Sequence, residues 1–422
     1  MPLKLAVVGS GPAGCYAVEQ LAKQAPDAEI DVIDRLPTPY GLVRFGVAPD
    51  HQGTKSVERV LERALSRPNV ALHGNVEIGR DLGLDELRAL YDAVILATGA
   101  PADRRLGIPG EDLPGVHPSG AFTRWLNGHP DDAGRAVELS RLRSAVVIGN
   151  GNVAIDVARV LAKSRAEMAR SDLAPLIEEM IARAPLAEIH IVGRRGPAEA
   201  SFAAVELDEM GRLARAHPLV AREAVAGAGN SATVEILRRF AALPDPGKEL
   251  RLHFRFGLRP LRFEGDGRLE RVVFERRRPA DGAYVPTGET LALPADLAVT
   301  CIGYDCRPCG EIAPRDGILA NEDGRVAVGL YVAGWAKRGS TGTIPTNRTE
   351  SHGVAERLLA ETTPAEKPGR AGLLAMLRER GILPVDLAGW QIINAAEKTR
   401  AAPGRAREKF RSHAELRAAL GR

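Results

Sequence analysis

The chain is poor in several things at once. Its 422 residues include four cysteines, three tryptophans and five methionines, and aromatic residues make up only 4%. Four thiols spread over such a length exclude the dense disulfide framework of a small secreted domain. No apolar run approaches the ~18 residues of a membrane-crossing helix. A first strand is read almost at Met1 with no signal or transit peptide ahead of it, so a cytoplasmic, bacterial location is expected. The net charge is +3, too small to point to nucleic acid. No Ser/His/Asp set, carboxylate pair or metal-ligand cluster stands out, and no repeat beyond the two units described below. The length predicts two or three domains.

What the chain has is glycine, 44 residues of it, and the glycines are placed. An apolar run, Leu3 to Val8, reads as a buried parallel strand and leads into Gly9-Ser-Gly11-Pro-Ala13-Gly14, a G-x-G-x-x-G, with a helix over Cys15–Lys23. Gly9 permits the turn, Gly11 lets backbone approach a pyrophosphate, and Gly14 lets helix and strand pack closely. The helix N-terminus offers free N–H groups to phosphate. A second strand, Glu29–Ile33, ends at Asp34, 20 positions past Gly14, where an acidic residue holds a ribose hydroxyl. A further buried strand ends in Ala97-Thr98-Gly99, small residues beside which a cofactor can pass.

A second unit begins at Ser144. Strand Ala145–Ile148 leads into Gly149-Asn150-Gly151-Asn152-Val153-Ala154, with a helix over Asn152–Lys163. The next strand, Glu188–Val192, ends in Gly193-Arg194-Arg195-Gly196 rather than in an acid, and two guanidiniums there suit a 2′-phosphate. The 43 positions from Gly151 to Arg194 are long for such a unit; an inserted helical segment near Arg170–Arg183 accounts for them. One unit ending in an acid and one in arginines predict two different nucleotides. FAD held by the first and NADPH visiting the second form a natural pair for hydride transfer.

Between the units, Pro37 to His51 reads as a loop, rich in proline and glycine yet carrying Leu42, Val43, Phe45 and Val47. That combination predicts packing against a flat apolar surface such as an isoalloxazine. His51 ends it, either as a functional group or as a surface cap of a helix starting near Thr54. Short strands are read at Val70–His73 and Gly74–Ile78, a helix at Phe202–Met210, an antiparallel excursion from Arg251 to Arg278, and a helix at Thr349–Ala360 before a linker and a helical tail. From Lys398 to Arg422 there are eight basic and two acidic residues, read as an acidic partner's docking surface or as a solvated helix face.

These motifs, with Tyr40-Gly-Leu-Val-Arg-Phe-Gly-Val-Ala-Pro-Asp-His51, Gly74-Asn-Val-Glu77 and Gly334-Trp335 followed by Lys337-Arg-Gly339, resemble adrenodoxin reductase and its bacterial ferredoxin–NADP reductase relatives over nearly the full length. The resemblance implies a glutathione-reductase-type α/β fold with two Rossmann-like domains, the FAD domain in two segments, 1–108 and 326–422, and the NADP domain at 109–325. It implies that Ala13, Asp34, Leu42, Val76, Trp335, Gly342, Thr343 and Ile344 contact FAD. Asn150, Gly151, Asn152, Val153, Arg194, Arg195 and Glu206 would contact NADP, with Gly342 at the nicotinamide end. His51 and Glu206 would handle protons near the redox centre. The implied reaction passes hydride from NADPH to FAD and then single electrons to an acidic, transiently docked ferredoxin-type iron–sulfur protein, the enzyme being a monomer. An NADPH-dependent dithiol reductase using Cys306 and Cys309 is the alternative.

Overall fold

The computed structural model describes residues 1–422. Two six-stranded sheets organise it. The first runs, in spatial order, Arg325–Ala327, Leu330–Val332, Ala93–Leu96, Lys4–Val8, Glu29–Asp34 and Val70–Gly74. All neighbours are parallel except the outermost pair, Arg325–Ala327 against Leu330–Val332. The second runs Val116–Pro118, Leu297–Thr300, Ser144–Ile148, Glu188–Val192, Leu250–Arg255 and Ala216–Val220, parallel throughout. Their central strands are continuous apolar runs because helices cover both faces: Lys4–Val8 is buried at every position but its first, and Ser144–Ile148 at all five. Each sheet carries its glycine turn at the carboxyl end of its central strand, where open α/β sheets take ligands.

Several elements depart from their predicted bounds. The first helix is Pro12–Gln24, because proline suits an opening turn whose N–H has no partner anyway. The loop before His51 contains a short helix, Leu42–Phe45. Gly74–Ile78 is not a strand; the chain leaves the sheet at Gly74. Leu250–Arg255 belongs to the parallel sheet, beside Glu188–Val192. Its alternation of buried and open positions looks the same in either setting. The antiparallel excursion is Leu258–Glu264, Arg271–Ala280 and Ala283–Pro294. The late helix starts at Ile344, not Thr349, on a capping box made by Thr343 and Thr346.

The basic tail turns inward. Helix Leu387–Thr399 sets Trp390 against Tyr40, its indole N–H donating to the phenol oxygen at 3.2 Å. Arg405 then pairs with Glu178 and donates to the Leu173 carbonyl. Arg407 meets Glu58 at 2.8 Å, and Lys409 meets Asp172 at 2.6 Å. Both readings of the tail therefore fail for these three cations, which are spent on internal carboxylates across the two sheets.

Candidate active site

The first glycine turn is built from near-contacts that only small residues allow. Gly9 sits at φ +107°, and a Cβ there would overlap the Ala97 carbonyl; one on Gly14 would overlap the Gly9 carbonyl. The turn therefore lies directly beside Ala97 and the exposed Thr98. The loop carrying Leu42 docks on it through Tyr40 N–H donating to the Ser10 carbonyl at 3.0 Å, and Leu42 is 44% exposed. From the far end of the chain, Gly334 comes so close that a Cβ would lie 2.5 Å from the Ala13 Cβ. Trp335 follows it half-exposed, Gly342 and Thr343 are exposed, and half-buried Ile344 opens helix Ile344–Glu361. Helix Pro12–Gln24 has Gly11 at its N-cap and no side chain capping it, so its first N–H groups are free for phosphate.

Asp34 and Val76 sit less openly. Asp34 accepts Ser10 N–H at 2.8 Å and Ser10 O–H at 2.5 Å on one oxygen, and Leu36 N–H at 2.9 Å on the other. The oxygen that accepts only Leu36 N–H keeps a lone pair for a hydroxyl, while Ser10 occupies both on the other. Val76 is buried, 1% exposed, and only its backbone can face a ligand. The bare glycine cradle, uncapped helix and exposed apolar Leu42 fit a flavin dinucleotide.

The second turn repeats the first. A Cβ on Gly149 would overlap the Cys301 carbonyl, as one on Gly9 would the Ala97 carbonyl. Helix Asn152–Ala162 again has a glycine N-cap, Gly151, with no side chain on it. Asn150 fills the space that a side chain at Gly193 would need. Asn152 accepts the Ala203 N–H at 2.7 Å, and Val153 is half-buried. Arg194 and Arg195 are both exposed, and neither guanidinium pairs with a carboxylate. Two unneutralised forks at this place fit a phosphomonoester.

Between the turns lies an ionic cluster. Asp156 and Arg159 share one face of helix Asn152–Ala162 and Lys163 is its C-cap, Glu206 and Glu209 come from helix Ala204–Glu209, and Asp50 and His51 come from the first unit's loop. His51 occupies an N-cap position but makes no cap bond, which removes its capping role. Its Nε2 instead lies 3.3 Å from Glu206 and 3.6 Å from Glu209, and its Nδ1 3.9 Å from Asp156. Arg159, fully buried, meets Asp50 and Asp156 at 2.7 Å and Glu206 at 3.2 Å. Lys163 joins Asp50 at 2.7 Å and Glu209 at 2.6 Å.

Four carboxylates thus face two permanent cations. Burial opposes the His51 imidazolium, yet Glu209 and the charges of Asp50 and Asp156 outweigh it and raise its pKa. The hydrogen bond from His51 holds Glu209 down at about 2, and desolvation raises Asp156. Against the cost of burial, Arg159 and Lys163 hold Asp50 well below the usual carboxylate range. Arg159, Lys163 and Glu209 were missed in the sequence. Their only local signal is i, i+3 and i, i+4 spacing, which any solvated helix shares.

Cys306 and Cys309 are both buried. Desolvation pushes the Cys306 thiol up to about 11 and raises Cys309 as well, the opposite of what a reactive dithiol needs.

Fold and site together define an α/β oxidoreductase with two Rossmann-type nucleotide units. A family model described as pyridine nucleotide-disulphide oxidoreductase matches residues 3–194. The chain is 36% identical to human mitochondrial NADPH:adrenodoxin oxidoreductase, over 99% of this chain and 92% of that protein. It is 38% identical to NADPH-ferredoxin reductase FprA of Mycobacterium tuberculosis over 98% of both. The solved structure of that FprA in complex with NADPH matches with a TM-score of 0.92, at 38% identity and over 100% of both chains. The chain belongs to the family of NADPH:adrenodoxin oxidoreductases and NADPH-ferredoxin reductases.

Proposed function

We propose that the protein is an FAD-dependent ferredoxin–NADP⁺ oxidoreductase. FAD resides on the first glycine turn and NADPH binds the second unit; the return to the first unit falls at Tyr304–Asp305 rather than at 326, because Cys306, Cys309 and Leu319 pack with Ala6, Val8 and Leu96 of the first sheet. The observation that carries this reading is the meeting of His51 with Glu206 at 3.3 Å, a group from the flavin side against one from the nucleotide side. When both cofactors are bound, the nicotinamide supplies a hydride to the flavin, which passes electrons singly to an iron–sulfur protein.

The chain's own groups do the rest. Gly9, Gly11, Ala13, Gly14 and Val76 offer backbone to the flavin dinucleotide, Asp34 takes a ribose hydroxyl, and Leu42, Thr98, Trp335 and Gly342–Ile344 enclose the ring. Asn150–Val153 cradle the second pyrophosphate. Arg194 and Arg195 take the 2′-phosphate. His51 and Glu206 hold and release a proton between them, Glu206 also bridging to Arg159. The partner is an acidic ferredoxin-type protein drawn to a basic face. The enzyme acts as a monomer in the cytoplasm.

Stopped-flow absorbance tests this. A yellow protein is bleached faster by NADPH than by NADH and re-oxidised by a ferredoxin; a protein that takes up no flavin, or bleaches but ignores ferredoxin, overturns the reading. Serine at both Cys306 and Cys309 should leave NADPH-to-ferredoxin electron flow intact, whereas its loss would restore the dithiol alternative.

A further inference from the structure

The chain crosses between the two units twice, and the crossings pair with each other. Ala102–Asp103 and Tyr304–Asp305 form a two-stranded antiparallel ladder. Arg104 braces it, its Nε donating to Asp305 at 2.7 Å. The outgoing crossing is fixed to the second unit: Asp103 accepts the Gly120 and Ala121 N–H groups at the start of helix Ser119–Leu126. The returning crossing is fixed to the first. Tyr304 N–H donates to Ser340 Oγ at 3.1 Å, and that hydroxyl lies 3.2 Å from the Tyr304 carbonyl. The buried Cys306 thiol, two residues on, lies 3.4 Å from the Gly99 carbonyl and 3.7 Å from the Trp335 carbonyl.

The Tyr304 side chain joins these two fixtures. Its ring lies parallel to the Trp335 indole, centroids 5.8 Å apart and planes 15° apart, an offset stack within the range where aromatic pairs attract. Its hydroxyl reaches Ser119 Oγ at 3.1 Å. One side chain thus touches the first residue of a second-unit helix and the face of an indole on the first unit. The indole has one further tether, its N–H donating to the Thr341 carbonyl at 3.0 Å. Trp335 is half-exposed and packs in part against the first unit's core; the Tyr304 ring is the aromatic partner that covers its face.

We infer that Tyr304 is a positioning residue that sets the Trp335 indole for transfer and ties its position, through Ser119, to the seating of the second unit. The functional half rests on the proposed flavin and NADPH sites; the geometric half does not. A ring held at both ends is pre-organised, which lowers the ordering cost of each productive encounter. Tyr304 touches neither nucleotide in this reading and acts only through the indole.

The test separates the two halves. Trp125 and Trp390 are 3% and 0% exposed, so acrylamide quenching of the holoenzyme's tryptophan emission reports Trp335. Tyr304→Leu removes the stack and should raise the quenching constant about twofold. In stopped-flow, the same variant should slow the limiting rate of flavin reduction by about tenfold, the scale of a misplaced reacting group. Tyr304→Phe keeps the ring and should restore both the shielding and the limiting rate. It loses the Ser119 bond, and so should raise the NADPH concentration for half-maximal rate about fivefold, as one lost hydrogen bond does. Ser119→Ala should match it.

Should Tyr304→Leu not fold, Ser340→Ala, which frees the Tyr304 backbone from the Trp335 turn, is read the same way. Unchanged quenching overturns the geometry. Raised quenching with an unchanged reduction rate overturns the positioning role. A wild-type protein that NADPH does not reduce overturns the reading beneath, whatever the quenching shows.

Discussion

Arg194 and Arg195 stand exposed at the end of strand Glu188–Val192 with no carboxylate against either. Cations left unneutralised beside a nucleotide turn are placed for a ligand charge. Replacing both with alanine should remove charge-assisted bonds of roughly 1.5–3 kcal/mol each from NADPH and none from NADH. The measurement is the ratio of kcat/KM for the two nucleotides, and an unchanged ratio would refute the assignment. His51 makes a different prediction. Its pKa is raised in the folded protein, so the folded state holds the proton more tightly than the unfolded chain. Its contribution is fully present below the unfolded value of about 6.5 and disappears as pH rises through the folded value. The gap in Tm between the wild type and His51→Gln should therefore be wider at pH 6 than at pH 9. A gap that widens with pH would mean that the carboxylates do not dominate the site.

At the scale of elements, the glycine turns depend on helix and strand lying closer than a side chain permits. A Cβ on Gly14 would overlap the Gly9 carbonyl, which is backbone and cannot rotate away. Gly14→Ala should separate helix Pro12–Gln24 from strand Lys4–Val8, and the protein should purify colourless, with its visible absorbance lost. Flavin retained at full stoichiometry would show that the turn tolerates the shift. Legibility was uneven at this scale. The turns and their flanking strands could be read because glycine spacing and apolar runs are local. Arg251 onward reads in the sequence as the start of the antiparallel excursion because alternating residues suit a half-covered strand of either direction, and only the pairing of Leu250–Arg255 with Glu188–Val192 decides between them.

Across the whole molecule, the tail and the two units meet at Asp172. Lys55 of the first unit reaches it at 2.9 Å and Lys409 of the tail at 2.6 Å, and all three are buried. One carboxylate between two ammoniums makes the substitutions unequal. Asp172→Asn strands two cations without a counterion and should cost about 3–5 kcal/mol, the scale of a broken buried pair. Lys409→Met leaves a balanced pair, and burial already disfavours the Lys409 charge, so it should cost clearly less. Urea denaturation of the two variants measures the difference, and equal costs would show that Asp172 does not carry the junction.

Two nucleotide units, their order, and which of them ends in an acid and which in arginines are all legible in the sequence. Those features depend on residues within a few positions of one another and on the backbone freedom of glycine. The sequence also brings out His51 and Glu206 as a pair through family resemblance, 155 positions apart. Folding alone assembles what surrounds them: Arg159 against Glu206 and Asp50, Tyr304 upon Trp335, and Arg405, Arg407 and Lys409 of the tail turned onto carboxylates. A charge or an aromatic ring reads the same in sequence whether it faces solvent or a partner. The difference arises when sheets close and distant segments desolvate one another, so that each buried charge must find its opposite.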